Sequence, residues 1–149
     1  MNRINLICLG VRDMAKSLAF YKAVGFQTYE KADCPPLVFF DSQGSKRELF
    51  PLGELAKDIN AEHPPKLSSD GFSGITLACN MKSESQVDAC MALVEESGGA
   101  IVKKPEMVSW GGYSGYFRDT EGYYWEVAYG PGWRFDDNGM LVIDEGGEN

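Results

Sequence analysis

The stretch that decides the fold runs from Trp110 to Pro131 and reads WGGYSGYFRDTEGYYWEVAYGP. Tyr113 to Arg118 has the composition of a strand. Asp119-Thr120-Glu121-Gly122 follows as a turn, and Tyr123 to Tyr129 as a second strand. Asp at the first turn position and Gly at the fourth predict a hairpin. Side chains alternate faces along a strand. Tyr124, Glu126 and Ala128 therefore share one face, and Trp125, Val127 and Tyr129 share the other. The second set reads as core. Glu126 stands out as a carboxylate among aromatic and aliphatic neighbours.

The same pattern occurs earlier. Asp41-Ser-Gln-Gly44-Ser-Lys-Arg-Glu48-Leu49 lies on Asp119-Thr-Glu-Gly122-Tyr-Tyr-Trp-Glu126-Val127 without a gap. Glu48 meets Glu126, and Leu49 meets Val127. Upstream, Val38-Phe39-Phe40 meets Tyr116-Phe117-Arg118. Two copies imply a duplicated module and not a solenoid.

Working outward, each copy is preceded by a strand and a helix. Ile4 to Val11 is apolar on both faces, as in a strand covered on both sides. Asp13 is placed to cap a helix running to about Val24, with Met14, Leu18 and Tyr21 as its apolar stripe. Gly25 ends it. Phe26 to Lys31 reads as a strand, broken by Cys34-Pro35-Pro36. Gly53 to Asn60 has the makings of a short helix. Ala61 to Asp70, with two prolines, reads as a linker. Ser73 to Met81 restarts the pattern as a strand. Ser83-Glu-Ser-Gln86 is a capping box for a helix whose stripe is Val87, Cys90, Met91 and Val94. Ala100 to Lys103 is a strand and Pro105 a breaker. Met140 to Ile143 could add an edge strand.

The fold class predicted is therefore α+β: two β-α-β-β-β modules forming mixed curved sheets around a shared cleft. One domain spans residues 1–149, with module one at about 3–53, a linker at about 54–72, module two at about 73–131 and a tail at 132–149. By alternation the helix-facing sides bury Ile7, Leu9, Val11, Ile75, Leu77, Cys79 and Met81. The opposite sides carry Leu6, Cys8, Glu48, Thr76, Ala78, Tyr124 and Glu126, and these would line the cleft.

Composition narrows the function. The 149 residues carry a net charge of −8 and no basic cluster, which disfavours DNA or RNA as a partner. No apolar run approaches the roughly 20 residues of a membrane helix, and the start lacks a signal-peptide core. The four cysteines show no CxxC spacing and read as buried free thiols in a reducing cytoplasm. The sole histidine, His63, falls in the linker beside two prolines and reads as a solvated loop residue. No Ser-His-Asp or Cys-His set can be built on it.

Leu9-Gly-Val-Arg-Asp13, Ser17-Leu-Ala-Phe-Tyr21, Gly25-Phe26 and Phe117-Arg-Asp-Thr-Glu-Gly-Tyr-Tyr-Trp-Glu126-Val127 together resemble the vicinal oxygen chelate superfamily. That superfamily includes glyoxalase I, extradiol dioxygenases and bleomycin-resistance proteins. The last segment is similar to the signature F-x-D-P-x-G-x-x-x-E, with Thr120 in place of proline. Trp110-Gly-Gly-Tyr-Ser-Gly-Tyr resembles a glyoxalase-like subgroup of unassigned activity. The resemblance implies a homodimer. It also implies a metal held by a His on the first strand and a Glu on the last strand of each module. The Glu positions fall on Glu48 and Glu126, and the His positions on Leu6 and Thr76, so both imidazoles are missing. Two carboxylates alone suit Zn²⁺ or Ni²⁺ poorly. They leave room for Mg²⁺ or Mn²⁺ with water. Cys8 and Cys79 are weighed as soft ligands, against the usual role of cysteine as a small buried hydrophobe.

No cofactor is therefore expected; if a metal binds, Glu48 and Glu126 are its ligands. Glu126 is the candidate catalytic or anchoring carboxylate, set against a plain salt bridge to Arg47. The expected ligand contacts are Leu6, Glu48, Thr76, Trp110, Tyr113, Tyr116 and Tyr124, while Phe39 is read as core. The expected function is small-molecule binding of the glyoxalase/bleomycin-resistance type. A divalent-metal-dependent lyase or dioxygenase, and a non-metal isomerase or epimerase using Glu126 as base, remain open as alternatives.

Overall fold

The computed structural model describes residues 2–68 and 71–143. The first module comprises β1 (Leu6–Val11), α1 (Met14–Ala23), β2 (Val38–Phe40) and β3 (Lys46–Pro51). After α2 (Leu52–Ile59) comes the second module: β4 (Thr76–Met81), α3 (Glu84–Glu96), β5 (Ala100–Met107), β6 (Tyr113–Arg118) and β7 (Tyr124–Tyr129). A small hairpin of β8 (Arg134–Phe135) and β9 (Leu141–Val142) follows.

Both sheets are mixed. β1 lies parallel to β3, which is antiparallel to β2. β4 lies parallel to β7, followed by antiparallel β6 and β5. The duplicated hairpin thus has the same place in each half. A parallel pair needs a crossover, and in each module the helix supplies it.

The helices start where the caps predict. Asp13 Oδ1 accepts the Lys16 amide at 2.9 Å, and Ser83 Oγ accepts the Gln86 amide at 3.2 Å. Gln86 Oε1 reaches back to the amide of Lys82, one residue beyond the cap. The stripe of α1 buries Met14, Ser17, Leu18, Phe20 and Tyr21; that of α3 buries Val87, Met91 and Val94. Both stripes enter one core with Leu9, Leu49, Phe40, Phe117, Trp125 and Val127.

Arg47 of β3 lies over Trp125 of β7, 4.8 Å from the ring centroid. The helix-facing sides of the two sheets therefore meet. Their neighbours in sequence, Glu48 and Glu126, point out of that core to the outer faces. The turn of the second hairpin joins the modules. The Asp13 amide donates to Glu121 Oε1, and the Tyr123 hydroxyl donates to the Gly10 carbonyl, each at 2.9 Å. Gly122 closes that turn with φ of 95°.

Several local expectations change. Phe26 to Lys31 is not a strand. It runs beside β2 through an Asp41 amide to Gln27 carbonyl bond and a Thr28 hydroxyl to Phe39 carbonyl bond. Pro105 does not break β5. The strand is an edge, and its register shifts on either side of Lys103 accommodate a residue with no amide hydrogen. Ile75 precedes β4 and is 68% exposed, so it is not core. Phe39 is 54% exposed on the outer face of the first sheet, because its neighbours Val38 and Phe40 take the inner positions. β1 is covered on both sides only near its end, where Leu52 and Leu55 of α2 lie over Gly10. Leu141 and Val142 pair with β8 and extend neither main sheet. Cys34 is exposed, unlike the other three cysteines.

Candidate functional site

The two outer faces carry the candidate side chains. On the first sheet, parallel register sets Cys8 against Glu48, and antiparallel register sets Glu48 against Phe39. The Cys8 thiol faces the Glu48 carboxylate across the strand pair. Burial, and then the neighbouring Glu48 carboxylate and the charge of Asp58, push the thiol up to about 12 from its ordinary 9.0. Cys8 is thus a neutral thiol at pH 7 and not a ready thiolate ligand. Leu6, two residues earlier on this face, is exposed.

On the second sheet Ala78, Glu126 and Tyr116 stand side by side. Burial, and then the charge of Glu126, raise the Tyr116 hydroxyl above its ordinary value. Next along the face come Thr76, Tyr124 and Arg118. Tyr124 meets Phe72 edge to face at 5.3 Å. An open groove of about 630 Å³ runs from Tyr124 and Arg118 to Leu52 and Ile59 of α2.

Arg47 is not the partner of Glu126. It projects from the helix side of β3, stacked on Phe26 and Trp125, while Glu126 projects from the outer side of β7. Tyr113 also leaves the site. It shares the helix side of β6 with Phe117, and its hydroxyl donates to Asp88 Oδ1 of α3 at 2.9 Å. Trp110 stacks on Trp133 at 5.7 Å, tying its loop to the segment after β7. The face therefore assembles Thr76, Tyr116, Tyr124 and Glu126, with Leu6 and Glu48 on the face of the other sheet. Cys79 lies on the helix side beside Arg47, away from both carboxylates.

Among the described residues no group of three or more His, Cys, Asp or Glu side chains is placed to hold a metal ion. One chain offers Glu48 with a protonated thiol on one face and Glu126 with a phenol on the other. Neither pair fits a transition metal, which takes three or four nitrogen, sulfur or carboxylate donors.

Two residues carry more than sequence reasoning gave them. Cys8 is the cross-strand neighbour of Glu48, which follows once β1 and β3 are paired in parallel. Asp119, read only as a turn residue, is buried and accepts bonds from the Tyr21 hydroxyl and from the amides of Glu121 and Tyr123.

Residues 3–127 match the family model described as the Glyoxalase/Bleomycin resistance protein/Dioxygenase superfamily. Among curated proteins, metallothiol transferase FosB of Shouchella clausii (strain KSM-K16) is 30% identical over 133 residues, spanning 87% of this chain and 82% of that protein. Among solved structures, a glyoxalase-related enzyme from Fulvimarina pelagi superposes with a TM-score of 0.84 at 24% identity, over 97% of this chain and 100% of that one. Lactoylglutathione lyase from Agrobacterium tumefaciens gives a TM-score of 0.66 at 23% identity, over 91% and 99%. These structural likenesses establish the fold.

Proposed function

This chain belongs to the Glyoxalase/Bleomycin resistance protein/Dioxygenase superfamily, and on that premise we propose that it is a cytoplasmic small-molecule binding protein acting as a homodimer. One observation carries the reading. Glu126 is half-buried on an outer sheet face, beside Tyr116 across the strand pair, and forms no ion pair among the described residues. A half-buried carboxylate with spare acceptor capacity favours a cation or a hydrogen-bond donor. Tyr116 and Tyr124 give it aromatic walls, which suit a cationic or flat ligand. The net charge of −8 adds long-range attraction for such a molecule.

The test is fluorescence titration with matched pairs of small aromatic amines and their neutral N-acetyl forms. Amines should bind, the acetylated forms should not, and Glu126→Gln should remove the preference. Equal binding of both forms would sink the reading.

A second reading, divalent-metal-dependent group transfer or lyase chemistry, draws on the relative named a metallothiol transferase. Glu48 and Glu126 are its ligand candidates. Elemental analysis of protein purified without chelator separates the two. A stoichiometric transition metal, lost in the Glu48→Ala, Glu126→Ala double variant, would replace the first reading with this one.

A further inference from the structure

Arg47 carries a charge that no described neighbour answers. Its guanidinium lies 3.7 Å from the Phe26 ring centroid and 4.8 Å from that of Trp125. Nε is buried and has no hydrogen-bond partner among the described residues. No ion pair between described residues includes it. The titratable groups that act on it are Cys79 and Tyr21. Burial raises both above their ordinary values, so both are neutral at pH 7. Arginine keeps its proton even when burial disfavours the charge. A chain with net charge −8 thus holds a cation in its interior seam without a described anion.

Beside this guanidinium is a pocket of about 550 Å³ between the two sheets. Leu77 and Met140 supply apolar wall, and Gln27, Ser42 and Asn80 supply polar groups. The other charged side chain on its wall, Asp41, is already paired with Lys46 at 2.6 Å.

We propose that this pocket between the sheets binds a small organic carboxylate, held by the Arg47 guanidinium, with its apolar body against Leu77 and Met140. The geometry selects the class. A guanidinium stacked on rings presents its N–H edge, and that planar fork matches a carboxylate. A single cation balances a monoanion, whereas a phosphate dianion would leave uncompensated negative charge in a half-buried site. The apolar wall favours a ligand with a hydrocarbon body over a bare inorganic ion. Arg47 projects from the helix side of β3 and Glu126 from the outer side of β7, so the two anchoring charges lie on opposite faces.

The test is calorimetric titration of the whole chain with sodium benzoate and, separately, with inorganic phosphate. Benzoate should bind one to one and phosphate should not. Arg47→Met should weaken benzoate roughly 10- to 100-fold, the effect of losing charge-assisted hydrogen bonds. Should that variant fail to fold, Arg47→Gln serves in its place. It keeps a polar side chain, removes the charge and should weaken benzoate to the same extent. Glu126→Gln should leave benzoate affinity unchanged, which separates this site from the outer-face reading. Three results would overturn the proposal: no benzoate binding at millimolar concentration, phosphate bound in its place, or affinity unaltered in the Arg47 variants.

Discussion

The Tyr21 hydroxyl donates to Asp119 Oδ2 at 2.5 Å, joining residues 98 positions apart. Tyr21 comes from α1 of the first module and Asp119 from the hairpin turn of the second. The same carboxylate accepts the amides of Glu121 and Tyr123 through Oδ1. One buried side chain therefore shapes the turn and bolts it to the other module. Burial raises the Asp119 carboxyl above its usual range, and these hydrogen bonds oppose that rise.

Tyr21→Phe keeps the ring packing and leaves Asp119 short of one partner. The expected cost is about 1–3 kcal/mol, the penalty for an orphaned buried acceptor. Asp119→Ala removes all three bonds and should cost more, whereas Asp119→Asn keeps an acceptor for the turn amides and should cost less than Ala. Thermal denaturation ranks the three, with roughly 2–4 °C expected per kcal/mol for a domain of this size. Equal melting temperatures for wild type and Tyr21→Phe would show that the bond contributes nothing net.

Gly115 of β6 marks a close approach between strands. A Cβ there would stand 2.9 Å from the Lys103 carbonyl oxygen and 3.0 Å from both Pro105 N and Met91 Cε. Two of those atoms are backbone of the neighbouring strand and cannot swing away. Gly115→Ala should therefore destabilise by about 1–3 kcal/mol, as overpacking does. Amide exchange should accelerate first along β5. A variant as stable as wild type would mean that β5 shifts freely at its irregular register.

The hairpins, the helix caps and the inward residues of β7 were legible because period and capping are local signals. Trp125 and Val127 are core as alternation requires, and Tyr21 lies on the buried stripe of α1. What alternation cannot supply is the partner across a seam. Arg47 reads as a mate for Glu126 in sequence, yet adjacent residues on one strand face opposite ways. Once β3 and β7 pack through Arg47 and Trp125, Glu126 must point elsewhere. Tyr113 and Tyr116, three apart in one strand, cannot share a face, so only one of them reaches Glu126. Phe39 misleads for another reason. An aromatic on a three-residue strand suggests core, but β2 has only Val38 and Phe40 to turn inward.

The Cys8 thiol gives a pH-dependent readout. With its pKa pushed up to about 12, only about one part in ten thousand is thiolate at pH 8. Exposed Cys34 should react first with a thiol reagent at pH 8, and Cys8 should stay protected. The adjacent Glu48 carboxylate raises the Cys8 value. Glu48→Gln removes the charge and should bring the thiol down, speeding its alkylation. A thiol whose folded value is raised adds stability that is full below its ordinary value and falls as pH rises from 9.0 toward about 12. Peptide-resolved alkylation at a series of pH values checks both points. Rapid modification of Cys8 at pH 8 in the wild type would contradict them.

The outer face of the first sheet bears on self-association. Leu6 is 41% and Phe39 54% exposed, and Glu48 lies beside Phe39 in the register. Covering both apolar side chains with a second copy would remove them from water at roughly 25 cal/mol per Å² of apolar surface. Light scattering should give a dimer at micromolar concentration. Phe39→Glu, which sets a second carboxylate against Glu48, should give a folded monomer. A monomeric wild type under the same conditions ends the homodimer proposal.

The last prediction concerns the pair formed by Glu126 and Tyr116. They face each other across β6 and β7, and the Glu126 charge helps raise the Tyr116 hydroxyl. Tyr116→Phe removes the hydroxyl and keeps the ring. Glu126→Gln retains the shape and removes the charge. If the carboxylate anchors a cationic ligand, Glu126→Gln should weaken an aromatic amine by about 1.5–3 kcal/mol, the value of a hydrogen bond to a charged group. Tyr116→Phe should change affinity far less, because the ring wall and the charge both remain. The double variant should bind like Glu126→Gln alone, since the phenol acts only through the carboxylate. Calorimetry on the four proteins gives the coupling, with thermal melts run in parallel. A purely structural pair behaves differently: both single variants lower the melting temperature and neither alters amine affinity. That outcome would remove Glu126 from the binding face and leave it as a fastening between β6 and β7.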